Sequence, residues 1–135
     1  MSTNYEYIWK ESLSSSEINL LYNTVGWPQF PEEQLELSFK YTWNWLSCRS
    51  SDGQLVGFSR ILSDGMMHAY ICSMVVHSKF QNLGIGTLMM NKIMELCSDN
   101  NMKPVIKVKT EEKIIHFYKK FGFKIEKDRA CALVS

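Results

Sequence analysis

No two cysteines in this chain stand close enough to begin a metal site or a redox motif. Cys48, Cys72, Cys97 and Cys131 are widely spaced singles without a Cys-x-x-Cys pair. Three of the four sit in apolar runs, where cysteine behaves as a small buried hydrophobe. A reduced, cytoplasmic protein without a metal is the expectation. Charge of one sign is also lacking: 15 basic against 14 acidic residues leave a net charge of +1. No global field steers such a chain to nucleic acid or to an anionic membrane, and neither is expected as a partner. Basic residues thicken between Lys103 and Lys127, but acids are interleaved with them, as on a solvated helix face. No apolar run reaches the roughly 18–20 residues that span a bilayer. Met1 to Glu11 has no basic segment followed by an apolar one, so no secretory signal is expected. Internal repeats, low-complexity stretches and a second-domain linker are absent too.

What is present is an ordinary globular composition, 45% apolar and 21% charged over 135 residues, read as one domain over 1–135. Ser14 and Glu17 form a capping-box pattern, followed at helical spacing by Ile18, Leu21, Tyr22 and Val25, with Gly26 to end the helix. Pro31-Glu32-Glu33 opens a second helix, striped by Leu35 and Phe39. The period then changes. Thr42 to Arg49 and Leu55 to Ile61 predict strands around a turn at Ser51-Asp52-Gly53. Ser63-Asp64-Gly65 turns into a third strand, Met66 to Val76, apolar on both faces and therefore interior. From Gly86 the spacing is helical, with Leu88, Met89, Ile93 and Leu96 on one face. Pro104 to Val108 predicts a strand, Glu111 to Phe121 a helix closed by Gly122, and Phe123 to Ile125 and Ala130 to Val134 two final strands. The class is α/β.

Between the third strand and the next helix lies His77-Ser78-Lys79-Phe80-Gln81-Asn82-Leu83-Gly84-Ile85-Gly86-Thr87. Alternate glycines before a helix let the backbone approach a ligand, and the unpaired amides of the first turn favour a phosphate. The same glycines also suit a helix start for purely steric reasons. The dinucleotide fingerprint needs a third glycine where Met89 stands, and a Walker loop needs a lysine between Gly86 and Thr87.

The run Tyr70 to His77 followed by Phe80-Gln81-Asn82-Leu83-Gly84-Ile85-Gly86 closely resembles the acetyl-CoA-binding core of the GCN5-related N-acetyltransferases, whose loop reads Gln/Arg-x-x-Gly-x-Gly/Ala. A second hallmark, His116-Phe117-Tyr118-Lys119-Lys120-Phe121-Gly122-Phe123, follows at the family's distance. Val25-Gly26-Trp27 and Leu55 to Arg60 with Asp64-Gly65 resemble a bacterial branch of small members, so the likeness runs from about Leu21 to Phe123.

The resemblance implies a single mixed, mostly antiparallel central sheet with helices on both faces. A strand bulged within Met66–Val76 splays from its neighbour and holds the coenzyme. Met74, Val75 and Val76 would then bond the pantetheine arm through their backbones. Asn82, Leu83, Gly84, Ile85, Gly86 and Thr87 would hold the pyrophosphate, with Gln81 shaping the approach to the loop. Direct attack by a primary amine on acetyl-CoA needs a proton removed, an oxyanion stabilised and a thiolate protonated. Tyr118 matches the family's general acid, and a backbone N–H near Met74 or Val75 would meet the oxyanion. Two departures stand out: Ser73 carries only a hydroxyl where the branch commonly has an acid or amide, and Glu111 replaces a common coenzyme-holding asparagine. His68, His77 and His116 read as ordinary surface or loop histidines, so no base is named.

Acceptor choice falls to the amino-terminal helices, where Tyr22, Trp27, Phe30, Tyr41, Trp43 and Trp45 are concentrated. They either line a pocket for an apolar or cationic amine or close the core of a small sheet. Two other readings compete. One is a catalytically inactive acyl-CoA-binding sensor or interaction domain of this fold. The other is a nucleic-acid-binding domain using Lys103, Lys107, Lys109 and Lys113, which the near-neutral charge disfavours. Exposed sheet edges of this fold allow pairing into a homodimer.

Overall fold

The capping box forms as its residues dictate. In the computed structural model, which describes residues 4–107 and 111–124, helix α1 spans Ser15–Thr24. The Ser14 hydroxyl accepts the Glu17 N–H, and the Glu17 carboxylate accepts the Ser14 N–H. Helix α2 spans Glu32–Lys40 with Pro31 at its cap. A strand the sequence reading omitted precedes both: β1, Glu6–Trp9, pairs antiparallel with β2, Asn44–Arg49. β2 pairs with β3, Leu55–Ser63, and β3 with β4, His68–Val76, both antiparallel. Helix α3, Ile85–Asp99, then returns the chain to β5, Lys103–Ile106, on the far side of β4. The Lys103 N–H donates to the Met67 carbonyl at 2.8 Å, so β5 begins where β4 begins, and the two strands run in the same direction. The sheet order β1-β2-β3-β4-β5 is thus antiparallel except at its last pair.

The chain divides into two compact units, Met1–Val105 and Ile106–Ser135, each described by itself. In the first, Ile18, Leu21, Tyr22 and Leu35 of α1 and α2 pack with Phe58 and Val75 of the sheet. Neighbouring strand residues face opposite ways, so Gly57 points to the other face. There a Cβ on Gly57 would lie 2.7 Å from the Met89 sulfur, 3.0 Å from Cys48 Cβ and 3.5 Å from Ile85 Cγ2. Helices therefore cover both faces, and α3 sits on the sheet at a distance only glycine permits.

α3 buries Ile85, Met89, Met90, Ile93 and Cys97, while Leu88 is 48% exposed. The inward row is thus Ile85-Met89-Ile93-Cys97, rotated from the face expected through Leu88 and Leu96. Contact with the sheet at Gly57 chooses between two rows of similar hydrophobicity. Next to Cys48 in β2, the Arg49 guanidinium reaches Glu11 at 2.9 Å and Glu17 at 2.7 Å, and the Ser47 hydroxyl donates to Glu11. Glu17, the capping acid of α1, is thereby held against β2, and hydrogen bonding from Arg49 keeps its carboxyl below the ordinary range.

The second unit contains helix α4, Glu112–Lys119, with Glu111 at its cap position but making no side-chain cap. Gly122 follows in a left-handed turn, φ +90°. Phe123 and Lys124 belong to neither helix nor strand. Ile125, the strand expected over Ala130–Val134, and Val108 lie outside the described residues.

The Gly57 contact carries a stability prediction. Gly57→Ala should cost about 1–3 kcal/mol, because Cys48 Cβ is anchored and cannot swing away as the Met89 sulfur can. Equilibrium denaturation measures this, and a midpoint unchanged from that of the original chain would contradict the close approach.

Candidate active site

β4 does not run regularly. Arg60 pairs with Cys72 and Phe58 with Val75, so Ser59 alone on β3 opposes both Ser73 and Met74 on β4. Ser73 takes a left-handed backbone, φ +56°, at this bulge. Such a conformation costs a non-glycine residue roughly 1–2 kcal/mol and marks a place where ladder pairing is given up. The bulge the resemblance implied is therefore present, at Ser73–Met74. Val75 is buried against Phe58, and Met74 and Val76 are half-buried.

Beyond β4 the loop is tied down at several points. The His77 N–H donates to the Val56 carbonyl at 2.8 Å, and the Ser78 N–H to the Thr24 hydroxyl at 3.2 Å. A short 3-10 turn, Ser78–Phe80, follows, its Lys79 N–H donating to His77 Nδ1 at 3.1 Å. Gln81 Nε2 donates to the Val76 carbonyl at 3.0 Å, joining the loop to the end of the strand. A carbonyl oxygen has two lone pairs, so Val76 keeps room for another donor. Positive φ at Asn82 (+64°) and Gly84 (+87°) then turns the chain into α3.

Gly84 caps α3 without any side-chain hydrogen bond, and its carbonyl accepts the Leu88 N–H at 3.0 Å. The amides of Ile85, Gly86 and Thr87 precede the first residue with an intrahelical acceptor and so have no helical partner. They stand at the positive end of a four-turn helix, where an anion is favoured. A Cβ on Gly84 would meet nothing within 4 Å, so it is the left-handed dihedral, not space, that calls for glycine there. Uncapped amides at such a helix start could hold a pyrophosphate such as that of coenzyme A. Met74, Val75, Val76, Gln81, Asn82, Leu83, Gly84, Ile85, Gly86 and Thr87 all fall within the first unit, along this bulged strand and loop.

Polar side chains gather beside the bulge. Tyr22, from α1, is buried, and burial raises its hydroxyl pKa against the opposing pull of Ser73 and of the Arg60 charge. Burial likewise raises the Cys72 thiol, again opposed by Arg60 and Ser73. Arg60 itself was missed as a site residue by sequence reading. The available signal was a lone cation in the apolar run Leu55–Leu62, at the same parity as the core residue Phe58. Among the three histidines, His77 is occupied as an acceptor, and burial together with Lys79 lowers its pKa. His68 and His116 are exposed.

In the second unit Tyr118 is 9% exposed. Its ring meets Phe117 at 4.9 Å and Phe123 at 6.1 Å, both edge-on, and burial pushes its phenol up to about 12. The group is thus a proton donor throughout the neutral range.

Comparison with known proteins agrees with this geometry. The pattern of the Acetyltransferase (GNAT) family matches residues 13–123. An uncharacterized N-acetyltransferase, ycf52, of Porphyra purpurea is 29% identical over 116 residues, 84% of this chain and 66% of that protein. The chloroplastic serotonin N-acetyltransferase 2 of rice is 31% identical over 121 residues, 86% of this chain and 59% of that protein. The chain thus spans no more than about two thirds of these relatives. A GNAT-family acetyltransferase from Streptococcus pneumoniae superposes with a TM-score of 0.78 at 22% identity, covering 98% of this chain and 96% of that one. A probable acetyltransferase from meticillin-resistant Staphylococcus aureus does so at 0.80 and 19%, covering 99% of each. At these identities the two structures share the fold. A family pattern that matches most of the chain, on a sheet bulged beside a glycine-opened helix, places this protein in the GNAT family of acetyltransferases.

Proposed function

We propose that this chain transfers the acetyl group of acetyl-CoA to a primary amine by direct attack in a ternary complex. The observation that carries the reading is the uncapped amino terminus of α3, opened by Gly84 at the end of a bulged strand. The amides from Asn82 to Thr87 hold the pyrophosphate, Gln81 braces the loop on Val76, and the backbones of Met74, Val75 and Val76 receive the pantetheine arm. These are main-chain contacts, which accounts for the apolar side chains along the segment.

The neutral amine adds to the thioester carbon to give a tetrahedral oxyanion, the nitrogen sheds its proton to solvent, and collapse of the oxyanion breaks the carbon–sulfur bond. A bulge N–H near Met74 or Val75 stabilises the charge on oxygen. Tyr118 protonates the sulfur, a role drawn from its place in the family pattern and from the protonated state that burial enforces. The three described cysteines Cys48, Cys72 and Cys97 are free thiols, in keeping with a reducing compartment such as the cytoplasm.

Calorimetry with acetyl-CoA tests the central claim. Gly84→Val forces a β-branched residue to φ +87° and should weaken binding by about tenfold or more, from a strain of roughly 1–2 kcal/mol. Unchanged affinity would remove the loop from the site. Tyr118→Phe should lower kcat by about a hundredfold or more while leaving acetyl-CoA affinity nearly intact. With the phenol at about 12, the rate should not fall through Tyr118 ionisation as pH rises through 10. A falling limb near pH 10 that vanishes in Tyr118→Phe would contradict this. Coenzyme binding without thiol release across a broad amine panel would favour the inactive acyl-CoA-binding domain instead.

A further inference from the structure

Arg60 forms no ion pair among the described residues. The side chain is half-buried and its Nε is fully buried, with no hydrogen-bond partner among the described residues. The other described arginine, Arg49, engages two carboxylates and the Gly53 carbonyl, so the chain satisfies a guanidinium where one serves structure. Strand alternation puts Arg60 on the face of Phe58, the face covered by α1 and α2. In register it stands between Trp45 of β2 and Cys72 of β4, one residue from the bulge. The titratable groups that feel its charge are the Tyr22 hydroxyl and the Cys72 thiol, both of which burial keeps neutral.

A half-buried guanidinium without a counter-charge costs on the order of 1–3 kcal/mol or more, and an anion that reaches it recovers part of that cost. Nε itself is closed to solvent, so an incoming carboxylate meets the two terminal nitrogens, whose outward N–H groups lie parallel and match its two oxygens. Trp45, the β2 partner of Arg60 in register, meets the Phe39 ring edge-on at 4.8 Å.

Building on the acetyltransferase reading, we propose that Arg60 receives the carboxylate of the acceptor, so that the substrate is an amine that also carries a carboxylate. The anion is anchored one residue from Ser73–Met74, and the amine reaches the bulge where acetyl transfer takes place. A phosphate offers the same oxyanion chemistry and is separated from carboxylate by the test.

The experiment compares glycine, β-alanine and γ-aminobutyrate with their carboxamides, with O-phosphoethanolamine as the phosphate arm. Thiol release by the full chain is measured at saturating acetyl-CoA. At least one carboxylate-bearing amine should exceed its amide in kcat/KM by about tenfold or more, equivalent to roughly 1.4 kcal/mol. Arg60→Gln should raise KM for that amine about tenfold, abolish the preference and leave acetyl-CoA affinity within about twofold. Arg60→Lys, which keeps the charge but loses the paired N–H groups, should recover only part.

Equal use of acids and amides by the original chain overturns the proposal, as does a preference that survives in Arg60→Gln. Preference for the phosphate alone overturns the carboxylate assignment. Melting temperature in the presence of the same amines provides a readout without turnover. A carboxylate-specific rise that Arg60→Gln or Arg60→Lys reduces, in a chain that does not bind acetyl-CoA, would leave this inference standing while the acetyltransferase reading fell. Acetyl-CoA binding without any carboxylate-specific rise or preference would do the reverse.

Discussion

The approach of α3 to the sheet at Gly57 governs where everything in the first unit can sit. Gly57 pairs with Val76, the last residue of β4, and its bare Cα faces Ile85 and Met89, in the first two turns of α3. The end of the strand and the start of the helix are therefore packed on the same spot. Had residue 57 a side chain, α3 would stand off and the loop from His77 to Gly84 would have to span a wider gap. With glycine there, the open amides of α3 lie beside the strand whose backbone they would share with a ligand. Packing on one face thus sets electrostatics at the edge.

Around that contact the chain departs from its local preferences at three points. Ser73 takes a left-handed backbone, α3 starts without a side-chain cap, and Arg60 Nε is buried without a partner among the described residues. Each costs free energy in the isolated protein, and the firm core of α1, α2 and the sheet can absorb that cost. Departures gathered in one region of an otherwise consistent structure are what a binding site looks like. The Glu11–Arg49–Glu17 network, by contrast, satisfies its charges and fastens α1 to β2.

Much of this was legible in the residues. The capping box, the Pro31 start of α2, the Ser51-Asp52-Gly53 turn and the glycine loop act through neighbours in the chain, and each lies where its residues predict. β1 escaped notice because Glu6–Trp9 is too short to show a period and is held by pairing with β2, distant in sequence. The buried row of α3 was misjudged because Leu88 and Leu96 are as apolar as the residues that won. The family pattern implied a bulge, but only pairing between strands could put the extra residue at Ser73–Met74.

By itself the sequence determined the order of most elements, the family and the loop that suits a coenzyme, because capping, turn chemistry and motif spacing are local properties of the chain. Tertiary structure decided which faces are buried, where β4 gives up its ladder, and that Arg60 stands next to that bulge without a partner among the described residues. Those outcomes depend on which distant residues meet, and pairing and burial cannot be read from neighbours alone.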